Sequence, residues 1–213
     1  FEMLAELKST NMESGAIAYI RQHKALGLGH AVWCARRLVA DEPFAVILPD
    51  DVIAAETPCL QQMVEAYDET GGCMVAAMEV PEEKASSYGM IDIKEDFGTI
   101  VSVKGLVEKP PADKVPSNLA VIGRYILSPR IMQNLNKIKS GAGGEVQLTD
   151  AIDAELKGGH DVFGFRFSGK RFDCGTKAGF LKATVAFGLA RSDLGEEFGG
   201  YLRELMSMQQ TAQ

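Results

Sequence analysis

The chain has 213 residues, with 22 lysines and arginines against 29 aspartates and glutamates, so its formal net charge is -7. An acidic chain of this kind is a poor non-specific partner for nucleic acid or for an anionic membrane surface. Hydrophobic residues make up 46% and charged residues 24%. These values are typical of globular proteins and exclude a disordered or fibrous class.

The sequence carries no signal for a membrane or for a disulfide framework. Its apolar runs are far shorter than the roughly 18 residues of a transmembrane helix, and the mixed, acidic first residues do not resemble a signal peptide. The cysteines at 34, 59, 73 and 174 lack the spacing of zinc ligands. We therefore expect reduced thiols in a cytoplasmic protein without a membrane segment.

The first half of the chain alternates between strand and helix patterns. Residues 15–21 predict a short strand, and residues 27–40 predict a helix that follows a glycine turn. The apolar run 44–51 ends at a proline and two aspartates, which is typical of a strand buried on both faces of a parallel sheet. Residues 57–71 predict a helix and residues 72–80 a second buried strand. This order indicates a doubly wound α/β fold.

The second half begins with strand patterns and ends with helices. Three further strands, partly antiparallel, are predicted in the segments YGMIDIKE, TIVSVKGLVEKP and SNLAVIGRYIL. Helices follow at 129–138 and 145–157, a late strand at 161–169, and a C-terminal helical segment at about 177–208. We expect one domain over residues 1–213, with a Rossmann-like, doubly wound mixed sheet in three α/β/α layers.

Two aspartates are candidates for a metal site. Asp50 and its neighbour Asp51 follow a predicted buried strand, where ligands bind in open α/β sheets. Mg²⁺ prefers such hard oxygen ligands and often takes only one or two from the protein. Asp173 lies between a predicted strand and a helix, so it is a candidate for the second carboxylate. A turn or a helix N-cap explains Asp50 equally simply, and for Asp173 taken alone a helix N-cap is the simpler explanation.

The pair Glu108 and Lys109, followed by Pro110, is a candidate for sugar and phosphate binding. A carboxylate accepts hydrogen bonds from sugar hydroxyls, and a lysine attracts phosphate as a point charge. Neighbouring residues of a strand point to opposite faces, so both can face one pocket only if the backbone bends. Two solvated charges on an edge strand are the alternative. Gly27 and Gly89 allow a ligand to approach the backbone or simply relieve strain in a turn.

Taken in order, several segments resemble the bacterial UTP-glucose-1-phosphate uridylyltransferase family. They are RQHKALGLGHAVWCAR, FAVILPDD, YGMIDI, VEKP, SNLAVIGRYIL, GGEVQLTDAI and RFDCGTKAGFLKATVAF. The resemblance covers nearly the whole chain. It implies a Mg²⁺-dependent enzyme that forms UDP-glucose and pyrophosphate from UTP and glucose 1-phosphate. It also implies a homodimer or homotetramer that supplies polysaccharide biosynthesis.

The resemblance assigns a role to each matching residue. It implies that Asp50 and Asp173 bind Mg²⁺ and that Lys109 contacts the sugar phosphate. It implies that Gly89 and Glu108 contact glucose. Asp51, beside a metal ligand, has no firm role.

The base-binding residues implied by the resemblance lie near the start of the chain. Gln22 and Gly27 match the positions that contact the uracil edge. The family's glycine-rich G-x-G-T-R loop and the lysine of its P-K-E-M-L-P-like stretch have no counterpart here. We therefore expect the sequence to be N-terminally incomplete and the fragment to be inactive alone. The alternatives are a related thymidylyltransferase or other sugar-phosphate nucleotidyltransferase, or a non-catalytic fragment that binds sugar nucleotides.

Overall fold

The computed structural model describes residues 12–137 and 144–211. Its main element is a six-stranded mixed sheet in the order β1-β6-β3-β7-β5-β4. A separate two-stranded ribbon pairs β2 with β8. The strands are β1 Phe44–Ile47, β2 Asp51–Ala54, β3 Cys73–Glu79, β4 Gly89–Asp96, β5 Ile100–Glu108, β6 Leu119–Leu127, β7 Val162–Arg166 and β8 Lys170–Asp173.

Helices pack on both faces of the six-stranded sheet, against the ribbon and against one another. They are α1 Leu28–Cys34, α2 Arg36–Val39, α3 Cys59–Thr70, α4 Glu82–Ala85, α5 Arg130–Lys137, α6 Leu148–Lys157, α7 Lys177–Ala190 and α8 Gly195–Thr211, with a 3-10 turn at Ala112–Lys114. Among the described residues, no helix has the length and apolar character needed to cross a membrane.

Strand β3 shows why the fold has three layers. Its residues Cys73, Val75 and Ala77 pack in a core with α1, α5 and α6, whereas Met74 and Ala76 pack in a second core with α3. Successive side chains of a strand point to opposite faces, so an unbroken apolar strand needs cover on both sides. The predicted three-layer α/β architecture is therefore confirmed.

The predictions for the first 50 residues need two corrections. Residues 15–21 form no strand, because they pair with no other segment in the described part of the chain, and Tyr19 is 91% exposed. Strand β1 is not buried on both faces. It pairs antiparallel with β6, and Ile47 is 52% exposed. The only parallel pair in the described sheet joins β3 to β7.

The later predictions agree more closely with the structure. Strands β4, β5 and β6 lie in the three predicted segments and pair antiparallel. Helix α7 begins after Thr176, whose hydroxyl accepts a hydrogen bond from Gly179 N, as an N-cap does. The sequence patterns missed the β2–β8 ribbon, whose strands have four residues each. Strands this short give almost no periodic signal.

A buried carboxylate fixes α5 against α6. Glu155 on α6 is 2% exposed. Its Oε1 accepts hydrogen bonds from Ser128 Oγ at 2.9 Å and from Arg130 Nε at 2.7 Å, and its Oε2 accepts one from Asn134 Nδ2 at 3.1 Å. A buried charge is tolerated when its oxygens are satisfied in this way. The network thereby holds the C-terminal half of α6 against α5, and the candidate site lies at the other end of the same helix.

Candidate active site

The β2–β8 ribbon brings Asp50 and Asp173 together. Asp50 ends the turn after β1, and its backbone carbonyl accepts a hydrogen bond from Cys174 N at 2.7 Å. A Cβ atom placed on Gly175 would lie 3.0 Å from Asp50 Oδ2 and 3.2 Å from Asp173 Oδ1. Both carboxylates thus border one small space that the missing side chain of Gly175 leaves open. The two aspartates predicted as a metal pair are therefore neighbours, although 123 positions of sequence numbering separate them.

The donor set of this space suits a hard cation. Both side chains offer carboxylate oxygens, which Mg²⁺ prefers, and Mg²⁺ commonly completes its shell with water and substrate phosphates. No cluster of three or more His, Cys, Asp or Glu side chains suited to a metal occurs in residues 12–137 and 144–211. The arrangement therefore fits a cation held jointly by two carboxylates and a ligand, rather than an all-protein cage.

Asp51 faces away from this space and into the protein. It is 6% exposed, and its Oδ2 accepts a hydrogen bond from Gly123 N at 2.8 Å. Its Oδ1 pairs with the guanidinium of Arg171 on the opposite strand. Arg124 Nη2 donates to the backbone carbonyl of Asp51 at 2.6 Å. Asp51 therefore anchors the ribbon to β6 and leaves Asp50 as the exposed member of the pair.

The backbone bends after Glu108, as its proposed joint role with Lys109 requires. Lys109 has a φ of 44°, one of only two positive values at non-glycine positions in the described chain. Its N–H donates to Tyr88 O at 3.0 Å, and its Nζ lies 3.9 Å from Glu108 Oε1. A positive φ costs about 1–3 kcal/mol in a non-glycine residue. The bend lets both charged ends face the same side.

Glu108 is positioned by residues on two other elements. Thr149 on α6 donates its hydroxyl to Glu108 Oε2 at 3.0 Å. Gly89 lies opposite Glu108 across the β4–β5 ladder. A Cβ on Gly89 would approach Glu108 Oε2 to 3.1 Å and Thr149 Cγ2 to 3.1 Å. The predicted pair Gly89 and Glu108 is thus in direct contact, and glycine leaves the carboxylate accessible.

The segment that leads into α6 also holds Gly27. Gly29 N donates to Val146 O at 2.9 Å, and Val146 N donates to Leu26 O at 2.7 Å. Gly27 has a φ of +95°, and a Cβ there would lie 2.8 Å from Val146 O. Gln22 donates from Nε2 to Gly27 O at 3.1 Å. The two predicted base-contact residues therefore touch each other, next to the segment that ends at Thr149.

A chain of contacts connects the sugar-side residues with the ribbon. Tyr88 accepts the Lys109 N–H with its backbone carbonyl, and its hydroxyl accepts a hydrogen bond from Arg171 Nη1 at 3.2 Å. Burial, assisted by the nearby carboxylates of Glu108 and Asp51, raises the pKa of Tyr125. Both carboxylates thus lie close to one buried tyrosine on β6.

A groove of about 1240 Å³ runs beside the ribbon, between α7 and the end of β3. Its lining includes Tyr88, Arg171, Asp173 and Thr176 but none of Gln22, Gly27, Asp50, Glu108 or Lys109. The groove therefore borders the candidate site at Asp173 without containing it.

Sequence reasoning missed three residues that hold the site: Tyr88, Thr149 and Arg171. Thr149 carried a weak signal, since it is a hydroxyl residue on the buried face of α6, beside Ile152. Arg171 carried none, because its partner Asp51 lies 120 residues earlier in the chain. Tyr88 carried none either, because its link to Arg171 depends on the tertiary fold.

Known proteins resemble this chain in both sequence and fold. A family model described as nucleotidyl transferase matches residues 1–188. The UTP-glucose-1-phosphate uridylyltransferase of Bacillus subtilis (strain 168) is 43% identical over 209 residues, covering 98% of this chain and 71% of the relative. The enzyme of the same name from Komagataeibacter xylinus is 47% identical over 175 residues, covering 82% and 61%. The chain therefore spans between 61% and 71% of the length of these two relatives.

Solved structures give the same match. UTP-bound UGPase from Acinetobacter baumannii superposes with a TM-score of 0.84 at 38% identity, over 96% of this chain and 71% of that one. UDP-glucose pyrophosphorylase complexed with UDP-glucose gives a TM-score of 0.78 at 40% identity, over 82% and 66%. With its fold, its motifs and these matches in agreement, the chain belongs to the nucleotidyl transferase family, among the UTP-glucose-1-phosphate uridylyltransferases.

Proposed function

We propose that the protein forms UDP-glucose and pyrophosphate from UTP and glucose 1-phosphate, with Mg²⁺ as cofactor. The observation that carries the proposal is the convergence of the Asp50 and Asp173 carboxylates on the space beside Gly175. Similar proteins are named for this reaction, and one is solved with UTP and another with UDP-glucose. Substrate identity and site geometry thus support the same chemistry.

The reaction is an in-line nucleotidyl transfer. A phosphate oxygen of glucose 1-phosphate attacks the α-phosphorus of UTP. The bond from that phosphorus to the oxygen bridging to the β-phosphate breaks, and pyrophosphate leaves with the bonding electrons. Because the nucleophile is already an anion, no general base is needed. The main barrier is to bring two polyanions together in the correct orientation.

Each named side chain has a part in that task. Asp50 and Asp173 hold Mg²⁺, which when bound neutralises and orients phosphate oxygens. The Lys109 ammonium, whose side chain is 62% exposed, binds the phosphate of the sugar substrate. Glu108 accepts hydrogen bonds from glucose hydroxyls, and Gly89 leaves room for the ring. Gln22 and Gly27 contact the uracil edge.

An assay of pyrophosphate formation by the full-length protein tests this function. We expect Mg²⁺-dependent turnover with UTP and glucose 1-phosphate, and slower turnover with dTTP. Faster turnover with dTTP would instead favour a thymidylyltransferase. UDP-glucose binding without any turnover would favour a non-catalytic sugar-nucleotide-binding protein.

We further propose a cytoplasmic role in supplying UDP-glucose for polysaccharide synthesis. All four cysteines are free, which suits a reducing compartment. Fractionation of cells followed by immunoblotting tests the location. Loss of UDP-glucose and of surface polysaccharide on deletion of the gene tests the pathway.

We also propose that the protein is a homodimer or homotetramer that uses the apolar stripe near α8. The stripe consists of Leu194, Phe198, Tyr201, Leu202 and Leu205, and Tyr201 is 57% exposed. Exposed apolar stripes often mark interfaces. Light scattering of the complete polypeptide should show an oligomer that Tyr201→Glu weakens. An unchanged mass in that variant would place the interface elsewhere.

A further inference from the structure

The side-chain amide of Gln22 makes two hydrogen bonds through one atom. Its Nε2 lies 3.1 Å from Gly27 O and 2.9 Å from Nδ1 of His30 on α1. A primary amide nitrogen has two hydrogens to donate. Both hydrogens of Gln22 are therefore used, and its carbonyl oxygen Oε1 accepts no hydrogen bond within the described residues.

These two contacts determine which way the amide points. Gly27 O is a backbone carbonyl and can only accept, so Nε2 must face it. The second hydrogen then points to His30 Nδ1, which must accept as well. An imidazole nitrogen accepts only when it carries no proton, so neutral His30 holds its proton on Nε2. In this tautomer His30 disfavours the flipped amide, whose oxygen would face a nitrogen lone pair.

The ring of His30 is itself held by its neighbours on the helix. It stacks on Trp33, with ring centroids 6.0 Å apart and planes inclined by 27°. The guanidinium of Arg36 lies 3.5 Å from the centroid of the Trp33 ring, a cation–π contact that stabilises the position of the tryptophan. The sulfur of Cys34 contacts His30 Nδ1 at 3.9 Å. His30 is thus placed to act on Gln22 as a fixed acceptor.

The orientation of the Gln22 amide has a consequence for the choice of base. Uracil and thymine carry an N3–H donor, whereas N3 of cytosine is an acceptor. A free amide oxygen therefore attracts the first two bases and repels the third. A site built to pair one hydrogen-bonding group discriminates strongly against a ligand that lacks it.

We propose that His30 is a positioning residue that presents Oε1 of Gln22 to the base and so selects bases with an N3–H over cytosine. The inference rests on the proposed function, because it takes Gln22 as a base contact. His30 itself touches Gln22 and not the substrate. Its effect is therefore on specificity and not on the chemical step.

The test compares three variants of the complete polypeptide with UTP, CTP and dTTP as substrates. His30→Phe removes the acceptor and keeps an aromatic ring. His30→Asn keeps an acceptor, because Asn Oδ1 occupies about the place of His Nδ1. His160→Phe is the matched control, an exposed histidine after α6. For each variant we would measure kcat and KM, and the binding of UDP and CDP by calorimetry.

We expect His30→Phe to lower the ratio of kcat/KM for UTP over CTP by about tenfold, which is equivalent to about 1.4 kcal/mol. The change should lie in KM, and the UTP:dTTP ratio should stay constant because both bases carry the N3–H. His30→Asn should recover most of the UTP:CTP ratio, and His160→Phe should not change it. General damage to the fold would lower kcat/KM for all three substrates together.

Three results would overturn the inference in distinguishable ways. If the wild-type protein bound no uridine nucleotide, both the proposed function and the inference would fail. If UTP turnover were normal but His30→Phe kept the UTP:CTP ratio, only the inference would fail. A ¹⁵N spectrum that placed the proton of His30 on Nδ1 would contradict it independently.

Discussion

Asp50 and Asp51 are neighbours with opposite environments. Asp50 is exposed, and its carboxylate meets that of Asp173 beside Gly175. Asp51 is 6% exposed and is satisfied by Gly123 and Arg171. The two aspartates therefore have different roles. Asp50 remains available to a ligand, whereas Asp51 fixes the backbone that carries Asp50.

Asp50→Asn should abolish turnover and leave the fold intact. The change removes the charge that we propose binds Mg²⁺ without altering shape, so kcat should fall by roughly 10³-fold. Steady-state pyrophosphate release over a Mg²⁺ titration measures the loss, and circular dichroism checks the fold. Asp41→Asn, at an exposed site before β1, is the control. Near-normal Mg²⁺-dependent activity in Asp50→Asn would refute the metal assignment.

In contrast to Asp50→Asn, Asp51→Ala should cause a large loss of folding stability. It leaves the mostly buried Arg171 without its ion-pair partner, and breaking such a pair costs about 3 kcal/mol. Urea unfolding measures the change in folding stability, with Asp50→Asn as the reference variant. Arg171→Met combined with Asp51→Leu should recover part of the stability, since no charge is then left unpaired. If Asp51→Ala unfolded at the wild-type urea midpoint, the ion pair would have no structural role.

At the scale of elements, short segments of irregular pattern control the site. The four-residue strands β2 and β8 place Asp51 opposite Asp173, and the start of α7 packs directly against them. The backbone of Gly179 approaches the carbonyl of Asp173 so closely that a Cβ there would overlap it. This glycine is required by close packing within a helix and not by its own dihedral angles.

Gly179→Ala should therefore destabilise the protein even though alanine is the better helix former. Relief of the overlap requires a backbone shift, which costs about 2 kcal/mol, and the shift should also weaken Mg²⁺-dependent activity through Asp173. Gly200→Ala on α8 is the matched control, because a Cβ there meets nothing within 4 Å. That variant should gain about 0.5–1 kcal/mol. Equal thermal shifts for the two variants would contradict this account.

At the scale of the whole molecule, the sheet buries two of the four thiols. Cys59 and Cys73 lie in the cores on opposite faces of the sheet, whereas Cys34 and Cys174 are half-buried. Burial raises the pKa of the Cys59 thiol to about 11, partly offset by Arg124. Burial also raises the pKa of Cys73. Cys59 and Cys73 are therefore shielded from solvent, whereas Cys34 and Cys174 keep partial access to it.

A thiol titration at pH 8 should divide the cysteines into two classes. Cys34 and Cys174 should react quickly with an aromatic disulfide reagent, since access and thiolate fraction control the rate. Cys59 and Cys73 should react at least about a hundredfold more slowly, because both are buried and one has a strongly raised pKa. Unfolding in guanidinium should expose all four. Rapid reaction of Cys59 in the native protein would show that α3 opens readily.

Most of the strands and helices follow from local patterns in the sequence, which also indicate candidate residues for the chemistry. Apolar periodicity located β3 to β6 and the helices α3, α5 and α7, because local patterns suffice where one face or both are buried. The apolar run at β1 is a strand, as predicted, but it is not buried on both faces. Residues 15–21 have the composition of a strand but no partner strand among the described residues. Pairing is a long-range property that composition cannot report.

The tertiary structure, and not the local sequence pattern, assembles the candidate site. It joined Asp50 to Asp173, Glu108 to Thr149 and Gln22 to His30. It also showed that Lys109 adopts the positive φ that lets it face the same side as Glu108. The orientation of a side chain depends on groups that are distant along the chain but close in space. A sequence pattern can therefore indicate which residues carry the chemistry, whereas the fold decides which of them face a ligand and which hold the others in place.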